Sequence, residues 1–274
     1  MSPSFIPSNI SRTWLLVNGA RPETFDAAAA TRTDEIILDI EDAVDPAKKS
    51  EARSSVISWL ESGNEAWVRI NDRPSPYWAD DVRELAGCKN LKGVMLAKVE
   101  DASHVVDTSL LLGADVRIVA LIESALGIEE ARAIACAQGT FRLAFGSGDY
   151  RKDTGTAADD LAMAYPRSRL VVASRIGNLP GPIDGPTISP SNSIIRDKTE
   201  VAVALGMTGK LVIDVDKIPV INEAISPTRS DIEWAQGFLA DFESRGRVVR
   251  DGSDLPRLGR AEKIVKLATA LGLV

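Results

Sequence analysis

Histidine is nearly absent from this 274-residue chain, which has a single one, His104. That excludes a Ser-His-Asp triad, a His–Asp base and a multi-histidine metal site built from this chain alone. Cysteine is almost as scarce. Cys88 and Cys136 are too few for a disulfide framework or a zinc site, and they read as two buried thiols of a reducing cytosol. No apolar run approaches the ~20 residues that span a bilayer. The start, MSPSFIPSNISR, lacks the basic and apolar stretches of a secretory signal. The expected compartment is therefore the cytoplasm. Basic residues are outnumbered, 32 against 39 acidic, for a net charge of -7, which argues against a nucleic-acid partner. No GxGxxG follows the first apolar run, so a dinucleotide-binding fold has no support.

What the chain does have is alternation. Short apolar runs at Thr13–Asn18, Glu35–Ile40, Ala66–Ile70, Gly93–Ala97, Arg117–Ile122, Arg142–Phe145, Pro182–Asp184 and Lys210–Ile213 read as strands. Most are continuously apolar, as expected of parallel strands covered on both faces. Helical patterns intervene at Pro22–Ala30, Pro46–Ser62, Trp78–Ala86, Ala102–Leu112, Leu126–Ala137, Leu161–Ile176, Ser193–Leu205 and Ile218–Ala224. Eight such repeats predict an α/β fold, a (β/α)8 TIM barrel, over residues 1–227. Residues 228–274 read as a C-terminal helical extension, Ser230–Arg245 and Arg260–Leu271 joined by a polar turn. It is free to pack on the barrel or on a neighbouring subunit.

In such barrels the chemistry sits at the C-terminal ends of the strands. Those ends carry Asp39, Glu41 and Asp42; Arg69, Asn71 and Asp72; Lys98 and Glu100; Glu123 and Ser124; Gly146-Ser147-Gly148-Asp149; Asp184; and Asp214 and Asp216. Glu123 and Asp149 follow consecutive apolar strands. Two carboxylates, completed by water and substrate oxygens, are a usual Mg2+ site, and Mn2+ fits the same ligands. Glu123 alone also reads as a carboxylate facing the N-terminus of the following helix. Arg69 reads either as a bidentate clamp on a substrate acid group or as a structural partner of Glu41 or Asp42. Gly146 and Gly148 suit close backbone approach to a ligand, and equally a plain turn.

The ordered series LDIEDAVDPAKKSEAR, VRIN, MLAKVEDA, ALIESALGI, FGSGDY, IDGP and LGMTGKLVI, spread over Arg12 to Ile232, resembles the citrate lyase β-subunit family within the HpcH/HpaI-type aldolases. The resemblance implies a TIM barrel assembled into trimers or hexamers. It implies a carbon–carbon lyase, Mg2+-dependent, acting on oxo acids or on acyl-CoA thioesters. It makes Glu123 and Asp149 the metal ligands and Arg69 the catalytic clamp on the substrate carboxylate. Glu41 and Asp42 fall where the family has water-mediated metal contacts, and the Gly148 and Asp149 amides flank the oxo-acid end. Lys98 matches the family's Pro-Lys, with Ala97 for Pro, and Arg12 and Arg53 match basic positions near substrate or cofactor phosphates. Asp254, in a polar DGSDLP segment, resembles a C-terminal Asp-x-Pro element whose carboxylate reaches a neighbour's active site to move a proton; a solvated interhelical turn is its other reading. One stretch departs from the pattern: Ile-His-Pro after strand eight is here Ile213-Asp214-Val215-Asp216-Lys217. The two added negative charges oppose a polyanionic CoA. That keeps two further readings open: an enolate enzyme that uses Mg2+ without CoA, and a catalytically impaired barrel with an assembly role.

Overall fold

The computed structural model describes residues 6–113 and 115–274. Its strands are β1 (Thr13–Asn18), β2 (Glu35–Asp39), β3 (Ala66–Ile70), β4 (Leu91–Leu96), β5 (Ile118–Ile122), β6 (Thr140–Phe145), β7 (Ile183–Asp184) and β8 (Gly209–Val212). Each pairs in parallel with the next, and β8 pairs with β1 to close the barrel. Around it lie α1 (Phe25–Ala29), α2 (Lys49–Glu61), α3 (Trp78–Leu85), α4 (Ala102–Leu112), α5 (Ala125–Ala135), α6 (Ser147–Thr154), α7 (Asp160–Ile176), α8 (Asn192–Ala204) and α9 (Ile218–Ile225). Beyond the barrel, α10 (Arg229–Ser244) and α11 (Asp254–Ala270) pack on one another.

Two apolar layers explain the continuous runs. Trp14, Ile37, Trp67, Met95, Val119, Leu121, Ala144, Ile183 and Leu211 fill the barrel interior. The alternate residues, among them Leu38, Val68, Leu96, Ile122 and Phe145, face the helices and meet Val56, Val82, Val105 and Leu170. Each strand is thus buried on both faces, and period-two alternation is lost from the sequence.

The N-terminal end of the barrel is sealed. Trp14 and Trp67 lie 5.1 Å apart between ring centroids. The buried Arg142 guanidinium donates to the Gly181 carbonyl at 2.7 Å, to the Ser11 carbonyl at 3.0 Å and to Thr208 Oγ1 at 2.9 Å. A guanidinium so fully engaged is a plug. The opposite, C-terminal end is where polar side chains are left with unfilled valences.

Three local expectations need correction. The GSGD stretch does not end as a loop, because Ser147 opens α6. Tyr150 is the only buried residue of that helix, so it has no apolar periodicity to read. Helix α11 starts at Asp254, six residues ahead of the expected Arg260. Pro256 reads as a breaker, but it stands in the first turn, where no N–H is needed. The cysteines are not both buried: Cys88 is half-buried and Cys136 exposed. No helix among the described residues is long and apolar enough to cross a membrane.

Candidate active site

Side chains of a barrel strand alternate between interior and exterior, so the residue two beyond an interior one rises to the next layer. From Ile37, Trp67, Leu121 and Ala144 that step leads to Asp39, Arg69, Glu123 and Gly146. These four form the floor of the mouth. Asp39 and Arg69 are register partners on β2 and β3. Arg69 Nε donates to Asp39 Oδ1 at 2.8 Å and Nη2 to Oδ2 at 2.6 Å. Its Nη1 lies 3.5 Å from Glu41 Oε2. Although burial works the other way, Asp39 and Glu41 hold the guanidinium well above its ordinary pKa. One edge of the fork is therefore taken, and the Nη1–Nη2 edge is left for a ligand. Asp39, rather than Glu41 or Asp42, is the principal structural partner. The sequence shows three nearby acids there, and only the β2–β3 register selects among them.

Glu41 is buried and split between two cations. Its Oε1 accepts from Lys98 Nζ at 2.6 Å, while Oε2 has no hydrogen-bond partner among the described residues. Lys98 Nζ also reaches both oxygens of the exposed Asp42 at 3.0 Å. The lysine side chain is thus committed to acids of the chain itself. Its backbone has the larger consequence: at φ 49 it sits in the left-handed region, at a cost of about 1 kcal/mol. In this conformation its N–H donates to Glu123 Oε1 at 2.9 Å.

Glu123 is 5% exposed. Burial, then the neighbouring Glu41, and to a lesser degree Asp149, push its carboxyl up to about 8 against the Lys98 amide and Arg69. Burial likewise raises Glu41, opposed by Arg69 and Lys98. The other Glu123 oxygen, Oε2, fits only because residue 146 is glycine. A Cβ there would stand 2.3 Å from Oε2. Gly146 is the residue before α6, and Asp149 lies half-buried in that helix's first turn. Gly148 is exposed beside it, with open space where a side chain would be. The turn is braced by Asp153, which accepts from the Ala125 amide at 2.8 Å, and Ser124 caps α5 through the Gly127 amide at 3.1 Å.

The donor set fits a hard divalent cation. Burial, Glu41 and Asp149 raise the proton affinity of Glu123, and the buried Glu41 Oε2 has no hydrogen-bond partner among the described residues. Every candidate ligand is oxygen, as Mg2+ or Mn2+ prefers. Among the described residues no group of three or more His, Cys, Asp or Glu side chains is placed to hold a metal ion by itself. Glu123 and Asp149 offer two carboxylates, so an ion there would take its remaining ligands from water and substrate.

Two expected site residues, Arg12 and Arg53, lie away from the mouth. Arg12 precedes β1 at the sealed end. Its Nε and Nη2 bind Asp34 at 2.8 Å each and its Nη1 binds Ser226 at 2.8 Å. It cannot reach a substrate at the mouth. Arg53 pins α2 to α3 through Asp81 at 2.7 Å and Glu84 at 2.8 Å. Asp214 caps a short turn, accepting from the Asp216 amide at 3.0 Å. Asp254 is held in place within its own subunit. It starts α11, 5% exposed, and accepts from Arg245 Nη1 at 2.6 Å and from the Arg250 amide at 2.8 Å. The Arg245 hydrogen bond, with that amide, holds its carboxyl down to about 2. Within its own subunit this carboxylate joins the two terminal helices. Asp39 and the fully buried Asp184, both expected at strand ends, take roles the sequence does not assign: Asp39 holds Arg69, and Asp184 binds Arg167 and Lys210 at 2.8 and 2.7 Å.

Comparison with known proteins agrees with this geometry. The family model for HpcH/HpaI aldolase/citrate lyase matches residues 12–215, and that for the HpcH/HpaI aldolase C-terminal domain matches residues 230–272. The citrate lyase subunit beta of Leuconostoc mesenteroides is 29% identical, over 97% of this chain and 95% of its own. The mitochondrial citramalyl-CoA lyase of Rattus norvegicus is 30% identical, over 95% of this chain and 86% of its own. The crystal structure of CitE from Mycobacterium tuberculosis, in complex with magnesium, acetoacetate and coenzyme A, superposes with a TM-score of 0.79 at 27% identity, covering 96% of this chain and 99% of that one. With a sealed barrel, two carboxylates at its mouth and both family models matched in order, the chain belongs to the HpcH/HpaI aldolase/citrate lyase family.

Proposed function

We propose that this protein is a magnesium-dependent carbon–carbon lyase that cleaves or forms a bond beside a carbonyl in a 2-oxo or 3-hydroxy acid or its acyl-CoA thioester. The observation that carries the reading is Glu123, buried between Glu41, Arg69 and the Lys98 amide and near enough to Asp149 for that carboxylate to raise its proton affinity. Glu123 and Asp149 would hold Mg2+, which when bound supplies Lewis-acid polarisation of substrate oxygens. The relatives named for citrate lyase and citramalyl-CoA lyase, and the magnesium in the CitE structure, support that assignment.

Arg69 does the work of the chain itself. Held by Asp39 along one edge, it offers Nη1 and Nη2 to the substrate's carboxylate or carbonyl oxygen, where negative charge grows as the bond breaks. Because Asp39 fixes the guanidinium beforehand, little reorganisation accompanies that charge. The amides of Gly148 and Asp149, in the unsatisfied first turn of α6, suit the oxo-acid carboxylate. Glu41 and Lys98 set the position of Glu123. Trimeric or hexameric assembly and a cytoplasmic location belong to the same reading. The strongly exposed Leu161 and Ile188, near the mouth, support burial of that rim by a neighbour.

A second reading rests on Asp214 and Asp216, both exposed at the β8 rim. Their charges favour free oxo acids over CoA thioesters. A product-resolved assay with malyl-CoA, citramalyl-CoA and oxaloacetate, each with Mg2+ and with chelator, separates the cases. Magnesium-dependent cleavage of a thioester supports the first reading, and cleavage of the free acid alone supports the second. No carbon–carbon cleavage of any of them would leave an assembly role.

A further inference from the structure

A charged cluster outside the barrel lumen has no part in the site above. Asp184 and Lys210 are register partners on β7 and β8, and both are essentially fully buried. Lys210 Nζ lies 2.7 Å from Asp184 Oδ2 and also donates to the Gly185 carbonyl at 2.9 Å. Arg167, from α7, lays its Nε on Asp184 Oδ1 at 2.8 Å and its Nη2 on Oδ2 at 3.2 Å. Two buried cations therefore share one carboxylate, and one positive charge is left over. The arginine's third nitrogen, Nη1, is buried and has no hydrogen-bond partner among the described residues. Buried donors are rarely left so, because desolvation without a partner is costly.

Arg167 lines a cavity of about 310 Å³. Arg151 enters the same cavity from α6, with no ion pair among the described residues; only its Nε is engaged, at 3.2 Å from the Ser147 carbonyl. Ser147 and Thr187 add hydroxyls. The one acid on the wall, Asp160, is neutralised by Lys198 at 2.8 Å. Donors and positive charge thus converge on a space whose only carboxylate is already paired. We propose that this cavity is a binding site for a small oxyanion, a carboxylate or phosphate group, held between Arg167 and Arg151. The ligand is either a free anion or the far acid group of a substrate seated at Glu123 and Asp149. The second source is geometrically open because Ser147 and Gly148, immediately before Asp149, also line the cavity. The site itself does not depend on the reaction proposed above.

The test is calorimetric titration with inorganic phosphate and with malonate, free of magnesium and at constant ionic strength. Wild type should bind one anion saturably. Arg151→Gln, at an exposed position, should weaken binding roughly tenfold or more, the loss of a charged hydrogen bond. Lys198→Gln should also weaken it, by freeing Asp160, whereas Arg196→Gln, outside the cavity, should not. Asp149→Asn should bind phosphate like wild type, so a failure of the lyase reading leaves this result intact. With magnesium present, a selective loss of oxaloacetate over pyruvate affinity in Arg151→Gln identifies the substrate's far end as the ligand. Unchanged affinity for both, with phosphate bound alongside, identifies a free anion. Absence of saturable binding, or equal binding by Arg151→Gln and wild type, overturns the proposal.

Discussion

At the scale of single residues, Glu123 concentrates the chemistry, and its neighbours explain its behaviour. The 2.3 Å clash that a Cβ at position 146 would make with Oε2 involves a carboxylate already held by the Lys98 amide. Gly146→Ala should therefore leave the fold standing and weaken magnesium binding by roughly tenfold or more, since mispositioned ligands cost about that much. Isothermal titration beside a circular-dichroism melt checks both halves. A carboxyl raised to about 8 is mostly protonated at neutral pH in the metal-free protein. Magnesium must displace that proton, so its apparent affinity should rise about tenfold per pH unit up to about pH 8 and level off above. The linked stability has the opposite trend. A folded-state pKa above the unfolded one contributes stability that is fully present below the ordinary glutamate range and is lost as pH rises through about 8. The metal-free melting temperature should fall from pH 6 to pH 9, and Glu123→Gln should flatten that fall. A pH-independent magnesium affinity would contradict the assignment.

Arg69 and Glu123 stand in the sequence as charged residues at the ends of apolar runs, and the structure places them at the ends of β3 and β5, while Asp149 follows β6 in the first turn of α6. The role of Asp39 was not legible in the sequence. It stands among Glu41 and Asp42, and only strand pairing shows which acid faces the arginine. Gly146 carried only the weak signal of a Gly-x-Gly, since a glycine kept for lack of a side chain resembles one kept for a turn.

At the scale of elements, the eight strands could be read because both faces of each are covered, leaving short β-branched runs between helical periods. Helix α6 could not, for it buries one residue and is held by its caps and by Asp153. The start of α11 was hidden by Pro256. That start fixes where Asp254 stands within its own subunit. The structure makes it the joint of α10 and α11 through Arg245 and the Arg250 amide. Asp254→Ala should increase hydrogen exchange along α11 and lower the melting temperature, with magnesium affinity unchanged. A large loss of kcat with α11 protection intact would instead restore a role for it in a neighbour's active site.

At the scale of the whole molecule, the two ends of the barrel divide the labour. Arg142, Trp14 and Trp67 close one end, the guanidinium held by the Gly181 and Ser11 carbonyls and by Thr208. At the other end stand Glu41, Glu123 and Asp149 beside Arg69, and Glu41 Oε2 has no hydrogen-bond partner among the described residues. The net charge of -7 and the carboxyl groups at this mouth favour the approach of cations. The most direct test compares wild type with Asp149→Asn in one experiment, a magnesium isotherm read together with carbon–carbon lyase turnover on the best substrate. The account predicts magnesium-dependent turnover in wild type. In the variant it predicts an unchanged melt, magnesium affinity lower by roughly 10–100-fold and most of the turnover gone. Wild-type turnover with unaltered magnesium dependence in Asp149→Asn would contradict it.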